Sequence, residues 1–407
     1  MMTWRLLIPI GSIVVLFAGI PSIAVDDVRF EAEQIFPVDP RQTHAPGIVE
    51  CANGDLIASW YRGTEGPEED ASIHGARKKK GESKWSEPFL LVDRKGFGDC
   101  NTCMMIDGQK RLWLFWPTII GESWESSLMN YAVSTDYENE GPPRWDRTEI
   151  MLLKPADFKE EALALMGDRK IRPPRGAIKF GDDPQREKLN DPLYQRLGWA
   201  PRCKPTVLPT GRILLPLYTD TWAISIMAIS DDGGENWYAS KPLIGFGNIQ
   251  PTVLRRNDGT LIAYMRENGG SRHIRVSESS DDGITWGPVG ESELPNFGSG
   301  IDALRLANGN WLMVYNDKGR VSLVVSISED EGKTWKFTRH LELHAAGRYH
   351  YPAVIQSPDG TIHTIYSTFI APDPATAKPD QNGKIPEFVD KGIKHAAFTE
   401  AWIRAGD

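Results

Sequence analysis

Paired apolar runs of alternating hydrophobic and polar residues, each pair joined by a turn containing glycine, recur six times along the chain. They run from Gly47 to Tyr61 (GIVECANGDLIASWY), Thr102 to Phe115, Lys204 to Leu217, Gln250 to Tyr264, Asp302 to Tyr315 and Pro352 to Tyr366, with turn glycines Gly54, Gly108, Gly211, Gly259, Gly309 and Gly360. Period-two alternation rich in Val, Ile, Leu and Tyr, broken at glycine, predicts β-hairpins. Three hairpins are followed by S-x-D-x-G-x-x-W: Ser230-Asp232-Gly234-Trp237, Ser279-Asp281-Gly283-Trp286 and Ser328-Asp330-Gly332-Trp335. The tryptophans step by 49 residues (286−237 and 335−286). A repeat of that length holding several strands predicts propeller blades. The fold expected is therefore an all-β, six-bladed β-propeller.

Outer strands are expected at Trp222 to Ile229, His273 to Glu278 and Arg320 to Ile327, and degenerate boxes end at Trp85 and Trp145. The remaining blade must close across the termini, with His395 to Ile403 as the closing strand. The hairpins at Gly108 and Gly211 lie too far apart for one period, so an insertion of about residues 150–200 falls between blades 2 and 3. It is partly helical, with a helix predicted from Ala156 to Met166 that ends near Gly167. Two roles stay open for it: a lid or wall over a ligand, and a surface elaboration. In the boxes, Ser and Asp can bond backbone N–H groups of their own turn, Gly supplies positive φ and Trp buries a ring, which is structural work.

Residues 1–24 carry Arg5, an apolar run from Leu6 to Ile20 and the small-x-small site Ser22-Ile23-Ala24. This is the pattern of a signal peptide, so residues 25–407 are expected to form the propeller of a secreted or periplasmic protein with no stable membrane insertion after cleavage. The net charge of −9 argues against nucleic acid or an acidic membrane surface as partner. Cys100 and Cys103 form one C-x-x-C without a second pair or a His cluster, and the box aspartates lack a closing Glu, so neither zinc nor calcium is expected, and no cofactor. Cys100 and Cys203 lie eight residues before Gly108 and Gly211. A disulfide between them and free buried thiols are both open.

With these features the chain resembles the sialidase (neuraminidase) superfamily, and specifically the bacterial BNR/Asp-box sialidase-like proteins, over nearly all of the expected mature length. The resemblance implies roles by position. Arg266 after the Gly259 hairpin and Arg320, eight residues before Ser328, would hold a substrate carboxylate; Tyr351, nine before Gly360, would be the nucleophile. Asp70, in the loop TEGPEEDASIH, would be the acid/base, with Glu68 and Glu69 as competitors. Two positions depart from the family: His44 (in His44-Ala45-Pro46) stands where a third Arg is usual, and Gln250 where a Glu opens the hairpin. A phenol nucleophile suits a sugar whose anomeric carbon bears a carboxylate, because it avoids like-charge repulsion. It still needs a base, and an amide can orient a hydroxyl but not take its proton. Arg202, nine residues before Gly211, and Arg62 are candidates to supplement substrate binding, with Lys204, Arg348 and His350 behind them. The function implied is a secreted exo-acting glycoside hydrolase cleaving a terminal acidic sugar from a glycan or glycoconjugate, sialic acid by default. A glycosidase for another acidic sugar, a non-catalytic carbohydrate-binding propeller and a protein-interaction scaffold are the alternatives.

Overall fold

The computed structural model describes residues 28–63, 70–167, 188–245, 247–372 and 390–407. The expected signal segment and most of the loop before Asp70, with Glu68 and Glu69, lie outside them, as does 168–187 within the insertion. The described strands form six antiparallel sheets, arranged as a six-bladed β-propeller. After β1 (Phe30–Gln34), blade 1 holds β2 (Thr43–Glu50), β3 (Leu56–Arg62), β4 (Ser72–Lys78) and β5 (Phe89–Val92). In blade 2, β6 (Gly98–Asp99) and β7 (Cys103–Ile106) share β8 (Leu112–Ile119), followed by β9 (Ser127–Ser134) and β10 (Arg147–Ile150). Blade 3 is likewise split: β11 (Trp199–Pro201) and β12 (Thr206–Val207) pair with β13 (Ile213–Thr219), then β14 (Ile224–Ser230) and β15 (Tyr238–Ala239). Blade 4 is β16 (Asn248–Arg255), β17 (Leu261–Glu267), β18 (His273–Ser279) and β19 (Gly290–Pro295). Blade 5 is β20 (Asp302–Arg305), β21 (Trp311–Tyr315), β22 (Ser322–Ser328) and β23 (Phe337–Leu343). Blade 6 is β24 (Gly347–Gln356), β25 (Ile362–Ile370) and β26 (Asp390–Phe398), with β1 as its outer strand.

The closing strand differs from expectation. β1 pairs along β26 from Phe30 opposite Phe398 to Gln34 opposite Lys394, so the N-terminal strand closes the ring. The stretch expected to close it is strand only to Phe398; Thr399 then caps a helix, Glu400–Ala405, by accepting from Trp402 N. That helix buries Trp402 and Ile403 against blades 5 and 6, which is why an apolar run there need not be strand. A second difference is in blade 2, where the left-handed turn residue is Lys110 (φ 60) rather than Gly108.

The hairpin turns lie at one end of the blades. Ile213, just after the Gly211 turn, pairs with Ser230, so the S-x-D-x-G-x-x-W turn sits at that same end. There Ser230 Oγ donates to Asp232 Oδ1 (2.9 Å) and accepts from Gly234 N (2.8 Å), while Asp232 caps Asn236 N (2.9 Å). The turns at Ser279 and Ser328 repeat this pattern. Gly234 (φ +88) lies against blade 2, where a Cβ would stand 2.2 Å from the Trp113 ring. These boxes join neighbouring blades, at the end away from the starts of the inner strands.

Inside the ring, Asp302 is fully buried and accepts from Lys204 Nζ (2.8 Å, blade 3), Thr252 Oγ1 (3.1 Å, blade 4) and Val354 N (2.9 Å, blade 6). One carboxylate thus ties four blades together, and Lys204 is engaged as its counter-ion. All four cysteines are buried thiols, and Cys100 and Cys203 form no disulfide with each other. Cys203 Sγ instead faces the carbonyl of Ile301 at 3.1 Å.

Ring closure is expected to be sensitive to acid. Glu33 of β1 accepts from Lys78 of blade 1, from Trp85 Nε1 (3.2 Å) and from His395 Nδ1 (3.4 Å). The other nitrogen of His395 meets His363 Nδ1 at 3.0 Å. Burial would raise the Glu33 carboxyl, but the hydrogen bonds from His395 and Lys78, with the lysine charge, bring it down to about 2. Burial, then the neighbouring His395, brings the His363 imidazole down to about 3. A histidine depressed in the folded state binds its proton first in the unfolded chain, so its neutral form is compatible with full stability above about pH 6.5, and stability falls from there toward pH 3. The Glu33 contribution disappears in the same direction, between about pH 5 and 2. Thermal unfolding followed by circular dichroism is expected to show a melting temperature that drops as pH goes from 7 to 4. His363→Gln should remove about 3 kcal/mol of that pH dependence; an unchanged profile would contradict this account of closure.

Candidate active site at the blade mouths

The inner strands carry a repeated backbone device. Ala45, Asn101, Gln250 and Tyr351 have positive φ (51, 37, 55 and 57°), and each lies nine residues before the left-handed residue of its own turn: Gly54, Lys110, Gly259 and Gly360. Blades 1, 4 and 6 show a register break there, between His44 and Gly47, Ile249 and Thr252, and His350 and Ala353. A bulge re-aims one side chain, and a non-glycine residue at positive φ is strained, a combination concentrated at functional sites. Arg202 occupies the same position in blade 3. The device therefore directs residues from separate blades toward one another at the end opposite the hairpin turns.

There, Arg266 Nη1 donates to Tyr351 Oη at 2.7 Å and to Gln250 Oε1 at 3.3 Å, and Gln250 Nε2 donates to Tyr351 Oη at 3.1 Å. One phenol oxygen thus receives two N–H donors, one from a cation, and such donors stabilise negative charge on it. Arg320 faces the same group and donates Nη2 to the carbonyl of Gly298 at 2.8 Å. Its desolvation, with the charge of Arg266 beside it, leaves its guanidinium below its ordinary value.

His44 stacks on Tyr351 at 4.2 Å between ring centroids and 22° between planes. Its Nδ1 lies 2.6 Å from Ser367 Oγ, which also accepts from Ala45 N. His350 meets His44 edge-on at 4.9 Å and packs on Phe369 at 4.6 Å. Burial first, then for His44 the charge of His350 and for both rings the charges of Arg320, Arg202 and Arg266, push the two imidazoles well below the ordinary histidine value. Both are neutral at physiological pH, so positive charge at the site comes from the guanidiniums.

The other expected residues fall into three places. Arg202 is buried under the Tyr351 ring (5.1 Å to the centroid), with Nη1 donating to Pro46 O at 3.2 Å and Nη2 to Pro352 O at 2.8 Å. It braces two inner strands and lies beneath the Tyr351 ring. Arg62, at the end of β3, is ion-paired with Asp39 and covers the Phe36 ring at 5.0 Å. Asp70 is exposed on the β3–β4 loop, with Oδ1 beside Gly63, at the mouth end of blade 1.

Sequence reasoning missed Tyr218 and Asp220. Tyr218 lies seven residues after Gly211, the same offset that Arg266 has from Gly259, a signal present in the sequence. Its hydroxyl accepts from Asn101 Nδ2 at 2.8 Å and it faces Gln250 and Tyr351. Burial, followed by the charges of Asp220 and Tyr351, pushes it well above the ordinary tyrosine value. Asp220 follows the end of β13; burial raises its carboxyl despite the opposing charge of Arg266. The insertion packs against the next turn. Phe158, in the helix Phe158–Gly167, contacts Trp222 at 5.9 Å, and Trp222 Nε1 donates to Tyr194 O at 3.2 Å.

Taken together, this is a six-bladed propeller whose central residues surround a tyrosine with guanidiniums and neutral imidazoles. Residues 195–364 match the family of BNR repeat-like domains. Over 186 residues, 39% of this chain, it is 25% identical to the anhydrosialidase of Macrobdella decora, and over 191 residues, 44% of the chain, 24% identical to the sialidase of Micromonospora viridifaciens. The chain spans about a quarter of the length of these curated relatives (23% and 26%). Among solved structures, a protein of unknown function from Dyadobacter fermentans superposes with a TM-score of 0.65 at 15% identity, covering 91% of this chain and 98% of that one. The leech intramolecular trans-sialidase with 2,7-anhydro-Neu5Ac also gives a TM-score of 0.65, at 13% identity, covering 92% of this chain and 71% of that one. Residues 195–364 thus resemble a BNR repeat-like domain, and the propeller fold is one that this chain shares with solved sialidases.

Proposed function

We propose that this protein is a glycoside hydrolase of the sialidase superfamily that removes a terminal acidic sugar by double displacement. The observation that carries the reading is the Tyr351 hydroxyl, held by Arg266 at 2.7 Å and Gln250 at 3.1 Å at the meeting point of separate blades. Arg266 and Arg320 present guanidinium N–H groups toward the same space, the arrangement that recognises a carboxylate. Beside them a cleft of about 400 Å3, lined by residues including Glu267, Asn268, Asn296 and Phe297, offers room for the rest of a sugar. In the first step the Tyr351 O–H bond breaks, its proton leaving to solvent, and the oxygen bonds the anomeric carbon while Asp70 protonates the departing glycosidic oxygen; in the second, Asp70 takes a proton from the water that displaces the tyrosine, whose oxygen regains a proton from solvent. The names of the relatives make sialic acid the first sugar to try. Export through the N-terminal signal segment, and substrates on extracellular glycans, belong to the same proposal.

Gln250 favours a second reading, a propeller that holds the glycan without cleaving it. Hydrolysis of an aryl α-sialoside and of aryl glycosides of other acidic sugars by the purified protein separates the two. Turnover of any of them supports the hydrolase, whereas saturable binding with no turnover supports the binding protein.

A further inference from the structure

His44 carries a hydrogen-bond donor that the described residues leave unused. Four rings hold its imidazole in place: Tyr351 face-on at 4.2 Å, His350 edge-on at 4.9 Å, Tyr61 edge-on at 5.9 Å and Phe369 tilted at 5.4 Å. His350 and Tyr351 lie on β24 and Phe369 on β25, so the ring of a blade 1 residue is locked against blade 6.

The contact at Nδ1 decides which nitrogen has the proton. Nδ1 lies 2.6 Å from Ser367 Oγ, and the same oxygen accepts from Ala45 N at 3.2 Å. Ser367 is fully buried, and its hydroxyl has no other hydrogen-bond partner among the described residues. A hydroxyl carries one proton. Were Nδ1 the donor, that proton would be buried without an acceptor, at the full cost of its desolvation. Given to Nδ1, it is satisfied. Ser367 therefore donates to Nδ1, and because the imidazole is neutral among the charges of Arg320, Arg202 and Arg266, its own proton sits on Nε2.

That N–H makes no hydrogen bond to a described residue. The Nδ1 side of the ring faces buried Ser367 and Ala45, whereas His44 as a whole is only partly buried, so Nε2 lies on the open side. The His44 ring covers the Tyr351 ring, and Arg266 Nη1 donates to the hydroxyl of the same phenol at 2.7 Å. A fixed, neutral, uncommitted donor beside two guanidiniums suits an anionic oxygen that those guanidiniums hold.

We propose that His44, kept as its Nε2–H tautomer by Ser367, is a neutral third donor to the substrate carboxylate bound by Arg266 and Arg320. The inference rests on the glycoside hydrolase reading above. Ser367 is a positioning residue, which acts by fixing where the imidazole keeps its proton. Two cations and one directed N–H then meet a single carboxylate, and the ligand class that fits is a sugar with one carboxylate group.

Two measurements test it. First, the protein is prepared with isotope-labelled histidine, and the ring nitrogens of His44, identified by their loss in His44→Phe, are observed by NMR at neutral pH. The expected spectrum shows a protonated Nε2 and an unprotonated Nδ1. A proton on Nδ1, or on both nitrogens, overturns the tautomer and the proposal. Second, affinity is measured by calorimetry for N-acetylneuraminic acid and D-glucuronic acid, and as KM for any acidic glycoside that the protein turns over. His44→Phe, which keeps a ring against Tyr351, should weaken binding about 10-fold. His44→Gln, whose amide nitrogen can donate from a similar place, should keep most of the affinity. Ser367→Ala should weaken binding and give a mixture of tautomers, and Ser367→Thr, which restores a hydroxyl, should recover both. Thermal unfolding shows which variants are folded; the wild-type spectrum and the His44 variants decide the question if Ser367→Ala is not. Unchanged affinity in folded His44→Phe overturns the donor role alone. Wild type that binds neither acid and turns over no acidic glycoside overturns the hydrolase reading, and the donor role with it, even with the tautomer as assigned.

Discussion

Replacing Tyr351 with phenylalanine is expected to lower kcat toward an activated aryl glycoside by at least about 10³-fold while leaving KM within a few-fold. The substitution removes one oxygen. The ring stays, and with it the stacking on His44 and the contact with Arg202 beneath, so the strained bulge and the positions of Arg266 and Arg320 should survive. What disappears is the atom that bonds the anomeric carbon and on which the Arg266 and Gln250 donors converge. A loss confined to kcat separates a nucleophile from a residue that merely shapes the site. A variant retaining more than about a tenth of wild-type kcat would remove Tyr351 from the chemistry.

Arg266→Lys should be nearly as damaging despite keeping the charge. The guanidinium makes the short bond to Tyr351 Oη, meets Gln250 Oε1 from the same nitrogen and keeps further N–H groups for a carboxylate. An ammonium is a point charge that cannot reproduce that fork. Loss of a donor aimed at developing negative charge costs about 10²-fold, or about 2.7 kcal/mol, so kcat/KM is expected to fall by that much or more, with KM rising as well because the carboxylate contact is weakened. Steady-state kinetics at saturating and limiting substrate show both effects. A fall in KM, or no change in either constant, would place Arg266 outside the site.

Much of this architecture can be read from the chain because its signals are local. The period-two hairpins and the 49-residue step between Trp237, Trp286 and Trp335 each follow from a turn that needs a left-handed residue and a ring that needs burying. The offsets from the turns also carry the site: Gln250 and Tyr351 lie nine residues before their turns, Arg266 seven after its own, and the three meet around one hydroxyl. Other features depend on contacts between distant segments. Arg202 shares the offset of Tyr351 but is drawn under the ring by carbonyls of blades 1 and 6, a partnership invisible from within blade 3. Arg62 finds Asp39, and Lys204 finds Asp302, through three-dimensional closeness alone. The sequence pattern points to the C-terminal end for the closing strand because the apolar residues of the final helix, Trp402 and Ile403, bury themselves as a strand's would.

The most direct test of the central claim, that a covalent bond through Tyr351 carries the reaction, is the anomeric configuration of the first product. An aryl α-sialoside, or the acidic glycoside that the protein is found to cleave, is hydrolysed in the presence of enough enzyme to outrun mutarotation, and the spectrum is followed by proton NMR. Two displacements at one carbon give net retention, so the sugar released first should have the configuration of the substrate, with the other anomer growing in only later. Initial appearance of the inverted anomer would mean that water attacks directly and that Tyr351 does not form the bond.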